Sequence, residues 1–245
     1  ERPSPGPGPR SAAVGEELAG RPLVEARLHR TIGNSYRGLG LFEEAERHLE
    51  LALAIYRGEA GEADSRTLDA MQQLAGFRQE QGRYAEAAAL GERLLAILEA
   101  RGEGQGRIAA GAMNNLALTY ADLGRAGEAA AMMERAVEQL SREVGAGHEY
   151  TLGSMSNLSF MLQEAGAFGR AEEILRRSVE GWTQGHGAEH PGTLLAKSNL
   201  AGLEIDLGRV EEGARLYEEV YEVRARLLGE DHPDTIRARI NVGWS

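Results

Sequence analysis

The net charge of -11 on this chain of 245 residues argues against the overall basic surface that nucleic acid or an anionic membrane selects, leaving room only for a local basic patch. The chain has no cysteine, hence neither a disulfide framework nor a thiol nucleophile, which suits a cytoplasmic protein. No apolar run approaches the ~20 residues that span a bilayer, and the many Ala, Leu and Glu residues, with only 5% aromatics, favour helices over sheets.

Residues 1–20 open with Pro3, Pro5, Pro7 and Pro9 set among Ser4, Gly6 and Gly8. That composition cannot build a packed helix and reads as an extended linker, a tether to an upstream domain. From Pro22 the apolar residues recur at helical spacing: Leu28, Ile32, Tyr36 and Leu39, then, beyond Gly40-Leu41, Phe42, Ala45, Leu49, Ala52 and Ile55. This predicts a helix, a turn whose glycine takes a positive φ, and a second helix.

The plan recurs. Gly40, Gly82, Gly124, Gly166 and Gly208 lie 42 residues apart, so residues 21–245 read as one repeat array. Five full repeats span 22–63, 64–105, 106–147, 148–189 and 190–231, and 232–245 is the first helix of a sixth, with Ile240-Asn241-Val242-Gly243 in register. An array that ends inside a repeat, without an initiator Met, reads as a fragment of a larger protein. After four of the five turns comes a large residue (Phe42, Tyr84, Phe168, Val210), and after all five a small one three positions further on (Ala45, Ala87, Ala129, Ala171, Gly213). The small position should let two helix backbones approach, and the large one should fill the neighbouring gap.

The segments between repeats also correspond. Gly187-Ala188-Glu189-His190-Pro191-Gly192-Thr193 matches Gly229-Glu230-Asp231-His232-Pro233-Asp234-Thr235 and, more loosely, 145–151. His148, His190 and His232 are therefore expected to open the next helix, and proline fits the first helical position. His186-Gly187-Ala188-Glu189-His190 fits the H-x-x-E-H pattern of inverted zinc proteases, which needs both imidazoles on one helix face. Gly187 interrupts that helix and Pro191 follows, so no metal is expected. Gly102-Glu103-Gly104-Gln105-Gly106 lacks the Gly-Lys-Ser/Thr ending of a phosphate loop. Without a nucleophile elbow or a sheltered carboxylate pair, neither enzymatic activity nor a cofactor is expected.

The paired helices, the Leu-Ala…Tyr…Gly…Ala pattern, the Gly-x-x-His-Pro-x-Thr-Leu linker and the Asn-Leu-Ala segment resemble the tetratricopeptide repeat. The period is eight longer than the usual ~34 residues and is similar to that of kinesin light chains and many bacterial multidomain proteins. The resemblance implies an all-α, right-handed superhelical solenoid of antiparallel helix pairs whose first helices line a concave groove. It also implies that the Asn before each Leu-Ala pair hydrogen-bonds the backbone of an extended ligand. By register these are Asn115, Asn157, Asn199 and Asn241, with Gln73 and Thr31 in the same slot of the first two repeats. An amide both donates and accepts, so a ladder of them grips a peptide without reading its sequence. The alternative is an amide that caps or bridges neighbouring repeats.

Glu80, Asp122, Glu164 and Asp206 form an acidic column two residues before the turn glycines, while the first repeat offers Arg27, Arg30 and Arg37. Kinesin light chains take acidic, tryptophan-containing peptides. The acidic column departs from them and suits a basic or mixed-charge partner, unless it is only a set of solvated acids near helix ends. Phe160 and Trp244 are candidate apolar anchors. The expected function is a protein-interaction scaffold with a protein or peptide partner. The second reading is a regulatory or sensor module of a larger bacterial signalling enzyme (kinase, ATPase or protease), acting on an intramolecular effector domain.

Overall fold

In the computed structural model, residues 20–104 and 106–244 are described, Trp244 by its backbone alone. The proline-rich residues 1–19 of the expected linker lie outside the described residues. The chain divides between residues 104 and 105 into two compact units. The first holds α1 (Pro22–Gly38), α2 (Phe42–Ala60), α3 (Ser65–Glu80) and α4 (Tyr84–Ala100). The second holds α5 (Arg107–Asp122), α6 (Ala126–Glu143), α7 (Glu149–Glu164), α8 (Phe168–His186), α9 (Pro191–Asp206), α10 (Val210–Leu228) and α11 (Pro233–Trp244). Among the described residues there is no strand, and within each unit every helix packs against the next. The fold is all-α, built of consecutive helix pairs.

Each pair closes the same way. The turn glycine has a φ of 72° at Gly124, 74° at Gly166 and 80° at Gly208, the left-handed region a side chain disfavours. The next residue then donates its N–H to the carbonyl five positions back: Arg125 to Tyr120 at 2.8 Å, Ala167 to Leu162 at 2.7 Å, Arg209 to Glu204 at 2.8 Å. This satisfies a carbonyl that the helix end would leave unpaired.

The small positions are where the two helices of a pair cross. Ala45, Ala129 and Ala171 are fully buried. The first and fifth repeats cross more closely through glycine: a Cβ on Gly33 would lie 3.1 Å from the Ala45 carbonyl oxygen, and one on Gly213 would lie 2.7 Å from that of Ala201. The large residues expected to fill the neighbouring gap do so only in part: Tyr84 is half-buried and the Phe42 ring lies against the buried Phe77. Phe42, Phe168 and Val210 remain 45%, 42% and 39% exposed, because each begins its helix, where one side of the first turn faces solvent.

A second correction concerns α1. The stripe of Leu28, Ile32 and Leu39 is exposed, and the buried residues of this helix are Ala26 and Gly33. In later repeats the slots of Leu28 and Ile32 hold Ala70 and Leu74, Ser154 and Leu158, and Ala196 and Leu200, all buried. There the preceding helix pair packs against the incoming helix. No described helix precedes α1, so the periodicity identified its face correctly but not the cover that would bury it.

Two devices join one repeat to the next. Thr67, Thr151 and Thr193, all with zero exposure, donate their hydroxyls to the carbonyls of Gly61, Gly145 and Gly187 at 2.8, 2.8 and 2.6 Å. The histidines open the helices as expected: Nδ1 of His148, His190 and His232 accepts the N–H of Tyr150, Gly192 and Asp234 at 3.2, 3.1 and 3.2 Å. Asp64 does the same for Arg66 at the start of α3. Capping of this kind is worth on the order of 1 kcal/mol per helix.

Candidate functional site

Helices α5, α7 and α9 of the second unit show one exposure pattern. The positions of Ile108, Gly111, Asn114, Asn115, Leu118 and Asp122, and their counterparts 42 and 84 residues on, are exposed or half-buried, while the intervening positions are buried except the half-buried Ala121, Gln163, Lys197 and Ile205. Spacings of three and four put the open positions on one stripe of each helix. The stripes adjoin, since α9 touches α7 and the amide of Asn157 reaches back to Oδ1 of Asn114 on α5 at 3.5 Å.

Asn115 is exposed; Asn157, Asn199 and Asn241 are half-buried on the equivalent positions. Asn114 donates weakly to Oδ1 of Asn115 at 3.4 Å, which with the Asn157 contact makes a short amide chain across two repeats. Both bonds are long enough to yield to a better partner. Asn199 and Asn241 make no side-chain hydrogen bond among the described residues. In the first unit the same slot behaves differently. Thr31 bonds back to the Arg27 carbonyl at 3.0 Å, and Oε1 of Gln73 is buried without a partner.

The acidic positions Glu80, Asp122, Glu164 and Asp206 are all exposed. They are not equivalent electrostatically. Glu80 is ion-paired with Arg37, so two candidates of the first unit neutralise each other. Arg27 is exposed and Arg30 half-buried. At the other end, burial and then the Asp206 carboxylate push the Tyr217 phenol above its ordinary pKa, placing a protonated hydroxyl beside the stripe. Its oxygen lies where a Cβ on Gly202 would be only 3.1 Å away.

Large apolar side chains share the face. Phe160 is 57% exposed, and Ile108, Tyr150 and Leu195 are also open. The side chain of Trp244 lies outside the described residues. Phe160 was legible from register. Ile108, Tyr150 and Leu195 were not singled out, although their spacing along the stripe carries the same signal.

Beneath this face, the slot that holds Tyr120 in the third repeat holds Leu162 in the fourth and Glu204 in the fifth. Tyr120 lies under the Arg125 guanidinium, 4.1 Å from its ring centroid. Glu204 is fully buried and bound by Arg176 at 2.6 Å and by Arg209. Both arginines also hold Glu172. Burial opposes ionisation of Glu172, but the hydrogen bonds from Arg209 and Arg176 outweigh it and keep that carboxyl below its usual range.

A face of exposed apolar side chains with amides between them, carried on successive helix pairs, defines a helical-repeat protein. The chain belongs to the tetratricopeptide-repeat family, whose model matches residues 24–100, 108–184 and 192–245. Repeats of this family are in general protein–protein interaction modules and are typically non-catalytic.

A Podosopora anserina protein of nearly identical TPR-like repeats, assigned as a kinesin light chain, is 24% identical. That match covers 85% of this chain and 99% of the other with a TM-score of 0.78. BtubC (BKLC) from P. vanneervenii is 21% identical over 83% of this chain and 80% of its own, with a TM-score of 0.66. MamA from Desulfovibrio magneticus RS-1 is 14% identical over 83% and 97%, with a TM-score of 0.63. At these identities the likeness is one of fold. None of the curated proteins matches this chain in sequence. No described helix is long and apolar enough to cross a membrane.

Proposed function

We propose that the stripes of α5, α7 and α9 bind an extended peptide segment of a partner protein, one that carries basic residues and at least one large apolar side chain. The observation that supports this reading is the coincidence, on one face, of three chemistries a peptide offers back. The amides of Asn115, Asn157 and Asn199 match its backbone. Ile108, Tyr150, Phe160 and Leu195 offer apolar contact. Asp122, Glu164 and Asp206 favour cationic side chains and steer their approach. Asn241 continues the slot on α11. In the first unit the amide slot holds the self-bonded Thr31 and the buried Gln73 oxygen, so the second unit is the binding half.

The regulatory reading draws on residues 1–20, almost all outside the described residues, and no geometry favours it. Peptide display against the 245-residue chain tests the binding reading. Selected peptides should be rich in Lys and Arg and carry an apolar anchor. The double substitution Asn157→Ala with Asn199→Ala should weaken them by about 1 kcal/mol per lost hydrogen bond while leaving the circular dichroism spectrum unchanged. Undiminished affinity on an intact fold would refute the ladder, and selection of acidic peptides would refute the charge preference.

A further inference from the structure

We propose that the junction between the fourth and fifth repeats binds one divalent transition-metal ion through Glu149, His186 and His190. These side chains come from three places: the first residue of α7, the last residue of α8 and the residue that caps α9. Gly187, with a φ of 95°, turns the chain sharply after α8, so His190 returns to the same end as His186. The two imidazole rings lie 4.9 Å apart at 34°. Oε1 of Glu149 is 3.9 Å from Nδ1 of His186, and one ligand atom from each of the three residues lies within 4.8 Å of the others.

The donor set is right for Zn2+, Ni2+ or Cu2+, since imidazole with a carboxylate is the environment these ions favour. Two ligands on one tetrahedral zinc, each about 2.1 Å from it, lie about 3.4 Å apart. Closing from the present spacing needs about an ångström of side-chain movement, which the exposed Glu149 and His186 can supply. Water completes the coordination.

His190 stands within reach of the ion, but its cap competes with ligation. Its Nδ1 accepts the Gly192 N–H, which puts the neutral ring's proton on Nε2, so ligation through either nitrogen displaces that cap hydrogen bond. The ring stacks on Trp182, with centroids 5.0 Å apart and planes 16° apart, and the indole also lies 4.9 Å from His186. Trp182 fits there because Gly192 has no Cβ, which would stand 2.6 Å from the indole.

The sister junctions make the inference specific. His148 and His232 perform the same cap, so capping accounts for a histidine at 190. It accounts for nothing else in the cluster. In the two sister junctions the slots of Glu149, His186 and Trp182 hold Arg107, Val144 and Leu140, and Pro191, Leu228 and Arg224. Nor is this the inverted zinc-protease motif, because its glutamate, Glu189, is ion-paired with Arg226 at 2.6 Å. The carboxylate in the cluster comes from the start of α7 instead. A bound ion would tie the last turn of α8 to the starts of α7 and α9 and stabilise the junction by mass action.

The test is calorimetric titration of the 245-residue chain with ZnCl2, followed by Cu2+ quenching of tryptophan fluorescence. One saturable site is expected, with a Zn2+-dependent rise in thermal midpoint. His186→Ala and Glu149→Gln should each weaken binding at least about tenfold. His190→Asn retains an acceptor for the Gly192 N–H while deleting the ligand, so it should abolish binding with helix content preserved. His232→Ala, which removes the same cap from a sister junction, should leave the affinity unchanged. Absence of a saturable site, or an affinity equal to that of the native chain in the three ligand variants, would overturn the proposal.

Discussion

The third and fifth repeats carry one backbone plan 84 residues apart and fill it with different chemistry. In α5 the slot above the turn holds Tyr120, an aromatic ring under the Arg125 guanidinium; in α9 it holds Glu204, a carboxylate with zero exposure clasped by Arg209 and Arg176. The arginine five residues after the slot is the shared element. It can lie over a ring or pair with an acid, because a guanidinium offers both a flat cationic face and a fork of donors. The crossings differ in the same spirit. Ala129 separates α5 from α6, whereas Gly213 lets α10 approach α9 more closely. The geometry of the repeat therefore tolerates a change of interaction type, provided the partner of the changed residue changes with it.

The fourth repeat is the sharpest place to break this rule. There the slot holds Leu162, the residue five beyond it is Ala167, and the position matching Arg176 is Glu134. Leu162→Glu would bury a carboxylate with no cation supplied at either position, and should cost about 3–5 kcal/mol in urea unfolding. The reciprocal Glu204→Leu also breaks the match, but Arg176 and Arg209 are half-exposed and keep Glu172, so it should cost less than Leu162→Glu. If both swaps behaved alike, the partner-matching rule would be wrong.

Gly213→Ala comes next in size. The added methyl would lie 2.5 Å from Cγ1 of Ile205 and 2.7 Å from the Ala201 carbonyl oxygen. It should lower stability by about 1–3 kcal/mol through overpacking, although alanine occupies this position in the four preceding repeats. An unchanged thermal midpoint would show that the fifth crossing is no tighter than the others.

Acid should produce the smallest difference. The Glu172 carboxyl is held below its usual range by Arg209 and Arg176 against the cost of burial, and that of Glu128 by its hydrogen bond to Arg125. A carboxyl lowered in the folded state contributes stability above its ordinary value of about 4.5, and that contribution is lost as pH falls through the lowered value. Amide protection factors should therefore fall in both repeats on acidification below about pH 4. Glu172→Gln should flatten the response in α9 and α10 while leaving that of α5 and α6 unchanged.

Much of this was legible from spacing. The turn glycines, the small crossing residues and the helix-opening histidines each do one local job, so a pattern of 42 residues exposes them. The stripe that carries Asn115, Asn157 and Asn199 follows from the same register. Other features were not legible, for identifiable reasons. Leu28 and Ile32 carry the right periodicity, but their burial depends on a neighbouring helix rather than on their own. Phe42 and Phe168 sit where a first turn meets solvent. The amide contact between Asn114 and Asn157 joins residues 43 apart on different helices.

Local sequence, then, determined which segments are helices, where they stop and how they repeat, because positive-φ glycines, caps and apolar spacing act within a few residues of themselves. Tertiary structure alone decided which charges neutralise each other and which side chains converge. Glu204 reads in sequence as one more helix acid, and only packing makes it a buried ion-pair centre. His186 and His190 read as a broken protease motif, and only the fold brings Glu149 from the start of α7 to stand beside them. Charge and metal chemistry depend on distances between groups far apart in the chain, and those distances exist only once the helices have packed.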